Sequence, residues 1–201
     1  YLALLGWNPG TEEEIFDIET LEKIFETDKL QKGGAKFDFE KAKWINHKFL
    51  GLTDQKIIFE RFPEFTECLP ELWSEKKKNA IYNLLRDRLF LLEELKVQSQ
   101  LFLNHPQAYD QKVVNKIQKH NPKKILDQFI NLAKNGIPIN TWKSKIQEWN
   151  EKEQLPIGSI MQTLRLGIVG YLSGPDIFQV CEVLGNEITL TRLEKLYNHL
   201  N

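Results

Sequence analysis

Residues 74–95 read Ser74-Glu-Lys-Lys-Lys-Asn-Ala-Ile-Tyr-Asn-Leu-Leu-Arg-Asp-Arg-Leu-Phe-Leu-Leu-Glu-Glu-Leu95. A serine ahead of a charged run that turns apolar is an N-cap signal. Behind it, Ile81, Leu84, Leu85, Leu92 and Leu95 fall at helical spacing, with Arg88 in the same stripe. Leu89, Phe90 and Leu91 carry apolar surface round the other side. The pattern predicts one long helix from Ser74 to about Leu95, central to its domain.

The same period extends in both directions. On the N-terminal side, Thr11 with Glu14 forms a capping-box pair ahead of Ile15 and Ile18, which predicts a short acidic helix. Thr20 is placed to cap a second set of turns through Leu21, Ile24 and Phe25. Asp38 precedes Phe39, Ala42, Ile45 and Phe49, the apolar positions of a further helix. Gly51-Leu52-Thr53-Asp54 reads as a C-cap followed by an N-cap, and a domain boundary is expected there.

On the C-terminal side, helices are expected over 110–119, 122–135 (closed by Gly136), 141–153 and 157–170. Ser173-Gly174-Pro175-Asp176 then turns the chain into a helix over 177–184, and Gly185-Asn186 separates that from a last one over 187–200. Alternating β-branched residues are nowhere sustained. The predicted fold class is all-α, as consecutive small helical units, and no repeat of fixed period is visible.

With 27 Lys+Arg against 28 Asp+Glu the chain is nearly neutral, but the charge is uneven. Residues 1–28 hold eight acids against one lysine, whereas residues 112–145 hold eight lysines against one aspartate. A basic segment in a neutral chain points towards a polyanion. No apolar run is long enough to span a membrane. The opening Tyr1-Leu-Ala-Leu-Leu-Gly-Trp-Asn lacks an initiator methionine and a leader pattern, and reads as the cut edge of a longer polypeptide. Cys68 and Cys181 are far apart and lack zinc-ligand spacing, so a reducing cytoplasm is the expected setting.

No catalytic constellation assembles. Gly33-Gly34 is isolated and is no phosphate-cradling loop, and His47, His105, His120 and His199 are scattered. Neither a metal site nor a catalytic residue is expected, and the segment should bind rather than catalyse. Two arginines stand out, Arg88 and Arg165, because each occupies a slot where a helical wheel wants an apolar side chain. A charge there must find a partner or reach a boundary. An internal ion pair would satisfy it, and so would recognition, since a guanidinium offers a planar fork to a base edge or phosphate. The turn Ser173–Asp176, with glycine before proline at a helix start, leaves backbone N–H groups available to an anion or a base acceptor.

Three groups of residues together resemble bacterial glutamyl-tRNA synthetase. They are Tyr1-Leu-Ala-Leu-Leu-Gly-Trp-Asn-Pro-Gly-Thr11; Gly34-Ala-Lys-Phe-Asp38 with Lys43-Trp-Ile-Asn-His47; and Leu164-Arg-Leu-Gly-Ile-Val-Gly170 with Gly174-Pro175 and Val183-Leu-Gly185. The resemblance covers essentially the whole chain and is to the C-terminal part of that enzyme. Its ATP-holding signatures, HIGH and KMSKS, do not occur here.

The resemblance implies that residues 1–52 are the rear of a stem-contact domain, and that 53–109 and 110–201 are two helical anticodon-binding domains. It implies tRNA(Glu) as the partner, with no membrane or DNA, and a monomeric parent. That parent would use ATP and Mg in a catalytic domain outside these residues, so no cofactor is expected in this segment. By position, Arg165, Gly174 and Ile177 resemble anticodon contacts. Arg88 resembles the reader of the third anticodon base, which separates glutamate from glutamine tRNA, with Arg86 close enough to compete for that role. Gly174 stands where some members carry a hydroxyl residue, so a contact there would come from the backbone. Lys112, Lys116, Lys119, Lys123 and Lys124 are the phosphate-binding candidates. The competing expectation is a helical protein-interaction scaffold without RNA binding. It requires both arginines to be internally paired and the lysines to be dispersed.

Overall fold

The computed structural model describes residues 1–67 and 69–200, without the side chains of 65 and 66. Cys68 therefore lies outside the described residues. The helices are α1 (Leu2–Gly6), α2 (Ile18–Ile24), α3 (Phe39–Leu52), α4 (Gln55–Arg61), α5 (Pro63–Glu67), α6 (Glu75–Leu85), α7 (Glu94–Leu103), α8 (Gln111–Ile117), α9 (Pro122–Lys134), α10 (Trp142–Glu153), α11 (Ile157–Val169) and α12 (Ile177–His199). Among the described residues the β-structure is one antiparallel bridge between Trp7 and Leu30. The all-α expectation holds.

Several caps are those the sequence announces. Asp38 accepts the N–H of Lys41, Asp54 that of Lys56, and Ser74 that of Lys77. Pro122 opens α9 behind Asn121. Gly185, at φ +82°, breaks α12 where the expected boundary lies, a conformation that a Cβ would strain.

Three expectations fail for identifiable reasons. The long helix over 74–95 is broken. After α6 come a 3₁₀ turn, Arg86–Arg88, and an extended Leu89. The break is set from outside: Asn46 Nδ2 on α3 donates to the Phe90 carbonyl at 2.7 Å, and His47 Nδ1 lies 2.8 Å from the Leu89 carbonyl. The helix expected from Thr11 is absent. Glu14 is instead paired with Lys41, and Asp17 caps α2 by accepting the Thr20 N–H, which leaves Thr20 inside the helix rather than at its cap. On α3, Phe39 and Phe49 are exposed, and Ile45 and Leu50 are the buried residues.

A continuous apolar cluster runs from Leu50 to Leu196. α9 presents Ile125, Leu126, Phe129 and Ile130 on one face, the i, i+1, i+4, i+5 pattern of a core-facing helix, and packs with α11 and α12. α12 also touches α6 and α7, so the last helix joins the early and late parts of the chain.

The centre of that junction is polar. Arg192 on α12 is 1% exposed, yet its guanidinium donates from Nη1 to the Ile168 carbonyl at 2.8 Å and from Nη2 to the Asn104 carbonyl at 2.7 Å. Ile168 lies in the last turn of α11 and Asn104 caps α7. Both helices thus direct the negative ends of their dipoles and unpaired carbonyls at one buried cation. Burial lowers the Arg192 pKa to about 10, still far above neutrality, so the charge persists.

A second tight joint follows α11. Gly170 ends the helix at φ +89°, where a Cβ would come within 2.6 Å of the Ala108 carbonyl oxygen. Its own carbonyl accepts the Asp110 N–H at 3.0 Å, tying α11 to the start of α8.

Two outcomes follow for urea unfolding. Arg192→Met leaves two buried carbonyls unpaired and should lower stability by about 3 kcal/mol, with Arg192→Lys restoring part of it. Stability unchanged in Arg192→Met would remove the polar junction from this account. Gly170→Ala should lower stability by about 3 kcal/mol through strain and clash. Gly158→Ala, facing open space, serves as a control and should be neutral or stabilising by up to about 1 kcal/mol.

Candidate nucleic-acid interface

The break after α6 decides where its arginines point. Leu85 and Leu89 are both fully buried and anchor the two ends of the 3₁₀ turn, so the residues between them face outward. Arg86 is half-buried, with Nε 3.7 Å from the carboxylate of Asp87. Arg88 is exposed and makes no ion pair among the described residues.

Arg165 lies half-buried on α11 and reaches over the turn that precedes α12. Nη1 donates to the Ser173 carbonyl at 3.3 Å and Nη2 to the Pro175 carbonyl at 2.7 Å. Gly174 sits between them at φ +125°, where a Cβ would lie 3.3 Å from Nη1. The turn is therefore shaped around the guanidinium, and its conformation calls for glycine. Asp176 caps α12 by accepting the N–H groups of Phe178 and Gln179, each at 3.0 Å. Ile177 is 1% exposed, so its side chain belongs to the core and only its backbone could face a ligand.

Burial pulls the Arg165 pKa below the ordinary arginine range, Asp176 draws it back up, and the charge of Arg88 pushes it down again. Beside the turn opens a cleft of about 380 Å³, with Ile146, Met161 and Phe178 among its apolar lining and the amides of Asn140, Gln147 and Gln179 at its polar side.

The lysines divide. Lys112, Lys116 and Lys119 are exposed, share one helical face by their spacing, and make no ion pair among the described residues. Lys124 pairs with Glu153, and Lys123 lies over the Tyr197 ring at 5.1 Å from its centroid. Among the described residues, no group of three or more His, Cys, Asp or Glu could hold a metal ion. Cys181 is fully buried, and burial pushes its thiol pKa up to about 12, which leaves it protonated and unreactive at neutral pH.

Sequence reasoning missed Arg192, although it lies three after Thr189 and four before Leu196, the same wheel signal that singled out Arg88 and Arg165. It also missed Asn46 and His47 as holders of the arginine turn, since nothing local says what lies opposite them.

A family model described as an anticodon binding domain matches residues 58–197. The glutamate–tRNA ligase of Christiangramia forsetii is 32% identical over 202 residues, covering 99% of this chain and 40% of that protein. The ligase of Phocaeicola vulgatus is 33% identical over 198 residues, covering 97% and 39%. The crystal structure of a glutamate tRNA ligase from Elizabethkingia meningosepticum, solved in complex with its amino acid, superposes with a TM-score of 0.87 at 29% identity, over 100% of this chain and 40% of that one. Glutamate-tRNA synthetase from Elizabethkingia anophelis gives 0.85 at 30% identity, over 98% and 39%. The chain spans about 40% of the length of the relatives it matches. By the match over residues 58–197, the chain belongs to the anticodon-binding domain family.

Proposed function

We propose that this chain is the anticodon-reading, C-terminal portion of a glutamate–tRNA ligase whose remaining part carries out the chemistry. The observation that carries the reading is Arg165, half-buried on α11 and hydrogen-bonded across the Ser173–Pro175 turn, inside the span that matches the anticodon-binding family. A guanidinium carries five donors, and the turn engages two of them, which leaves others for a polar ligand. An anticodon loop supplies that ligand, with splayed bases that present hydrogen-bonding edges and stacking faces.

Arg88, exposed and without an ion pair among the described residues, is the reader of the third anticodon base. Arg86, half-buried and beside Asp87, is the weaker candidate. Arg165 spends two donors on its own turn and presents the remainder, with Gly174 and the backbone at Ile177 beside it. Lys112, Lys116 and Lys119 supply phosphate attraction. Lys124 can join them, because an exposed ion pair such as its link to Glu153 is worth little and exchanges partners readily.

In this reading residues 1–52 are the rear of the stem-contact domain, followed by anticodon-binding units over 53–109 and 110–201. The partner is the glutamate tRNA, the parent is a monomeric cytoplasmic enzyme, and ATP and Mg belong to its catalytic domain. This chain offers neither a glycine-rich phosphate loop nor, among the described residues, a cluster of metal ligands. Binding energy gained at the anticodon would place the distant acceptor end for reaction. No helix among the described residues is long and apolar enough to cross a membrane. The scaffold reading needs both arginines internally paired, and Arg88 has no ion pair among the described residues.

Binding of the chain to glutamate tRNA should fall steeply between 50 and 200 mM salt, with each of Lys112→Ala, Lys116→Ala and Lys119→Ala lowering the log–log slope by about 0.7–0.9. The chain should prefer cytosine to guanine at the third anticodon position, and Arg88→Gln should shrink that preference by about 1–3 kcal/mol. Equal affinity of the unaltered chain for both tRNAs would take the reading role from Arg88, and absence of binding at low salt would defeat the proposal as a whole.

A further inference from the structure

The turn that carries Arg88 exists against local preference. Residues 74–95 have helical period throughout, and in a continuous helix Arg88 would lie on the stripe of Ile81, Leu85 and Leu92, facing the core. Instead Leu89 is extended at φ −90°, ψ 125°, and Arg88 is exposed. What holds it there comes largely from α3. Asn46 Nδ2 donates to the Phe90 carbonyl at 2.7 Å, and His47 Nδ1 contacts the Leu89 carbonyl at 2.8 Å, so Nδ1 carries the proton in that contact. The His47 ring also stacks on Phe90, with centroids 4.9 Å apart at 24°. On the far side the Phe90 N–H donates to the Glu94 carboxylate at 2.9 Å. The carbonyls of Leu89 and Phe90, which a continuing helix would have used internally, are thereby taken by another element.

We propose that Asn46 and His47 are positioning residues for Arg88, holding the backbone break that turns this arginine from the core towards the anticodon. The clamp lies outside the family-matched span of 58–197, on a helix of the stem-contact remainder, so selectivity for the third base depends on an element that does not itself read it. The inference rests on Arg88 being the reader of that base.

The test measures affinity of the chain for glutamate tRNA carrying cytosine or guanine at the third anticodon position. It compares Arg88→Gln, His47→Phe, and the pair Asn46→Ala with His47→Phe. His47→Phe keeps a ring on Phe90 and removes the donor, while His47→Gln restores a donor and serves as the rescue. The double variant should lose about fivefold in the cytosine-to-guanine preference, as expected for two lost hydrogen bonds that act through a third group. Its affinity for the guanine tRNA should stay unchanged, and His47→Gln should retain most of the preference. Adding Arg88→Gln to the double variant should cost no further preference, since both act on one contact. A preference intact in the double variant but lost in Arg88→Gln overturns the positioning role. So does an equal loss of affinity for both tRNAs, which is what a merely structural role would give. A preference intact in Arg88→Gln means instead that the reading of Arg88 itself has failed, and the clamp proposal falls with it. If the double variant does not fold, His47→Phe against His47→Gln decides the matter alone.

Discussion

Arg192 is the group on which the arrangement of this chain depends. A guanidinium at 1% exposure is costly unless its charge is met, and here it is met by carbonyls at the C-terminal ends of α7 and α11. An apolar residue in that slot could pack, but it could not satisfy two converging helix ends at once. The interaction spans the largest sequence separation among the side-chain hydrogen bonds recorded for the described residues, and it links the helices on either side of the expected boundary near residue 110. Hydrophobic burial around it supplies the bulk of the stabilisation, while the fork of the guanidinium sets how the helix ends meet.

From that junction the outward geometry follows in steps. α11, held at Ile168, is closed by Gly170 against Ala108 and passes its carbonyl to Asp110. The same helix carries Arg165, which shapes the turn Ser173–Pro175 around itself. α6, packed on α12, ends in the turn that carries Arg88. The three arginines thus form a gradient of commitment. Arg192 is buried and structural, Arg165 is half-buried and shared between turn and surface, and Arg88 is exposed and available. Charge is held inside the fold in the first and left at the surface in the last.

Much of this was legible in the sequence because helices are written locally. The caps Asp38, Asp54 and Ser74 and the glycine breaks at 136 and 185 each follow from a few adjacent residues. What was not legible is long-range. Residues 74–95 satisfy every local criterion for one helix, and only α3, brought up by the fold, takes the carbonyls that break it. Thr11 and Glu14 fit a capping box, but Lys41 claims the carboxylate. Ile177, which the resemblance sets among the anticodon contacts, has its side chain in the core, a burial that no adjacent residue announces. Arg192 carried the same signal as Arg88 and Arg165 and went unread, because a charged residue in a charged helix looks like surface until its partners are known.

The account is tested most directly by a covalent contact from the anticodon itself. A glutamate tRNA with 4-thiouridine at the middle anticodon position, irradiated in complex with the chain, should crosslink to peptides containing residues 86–90 and 171–176, the turns beside Arg88 and Arg165. Crosslinks confined to other surfaces, such as α2 or α10, would mean that Arg88 and Arg165 serve something other than the anticodon.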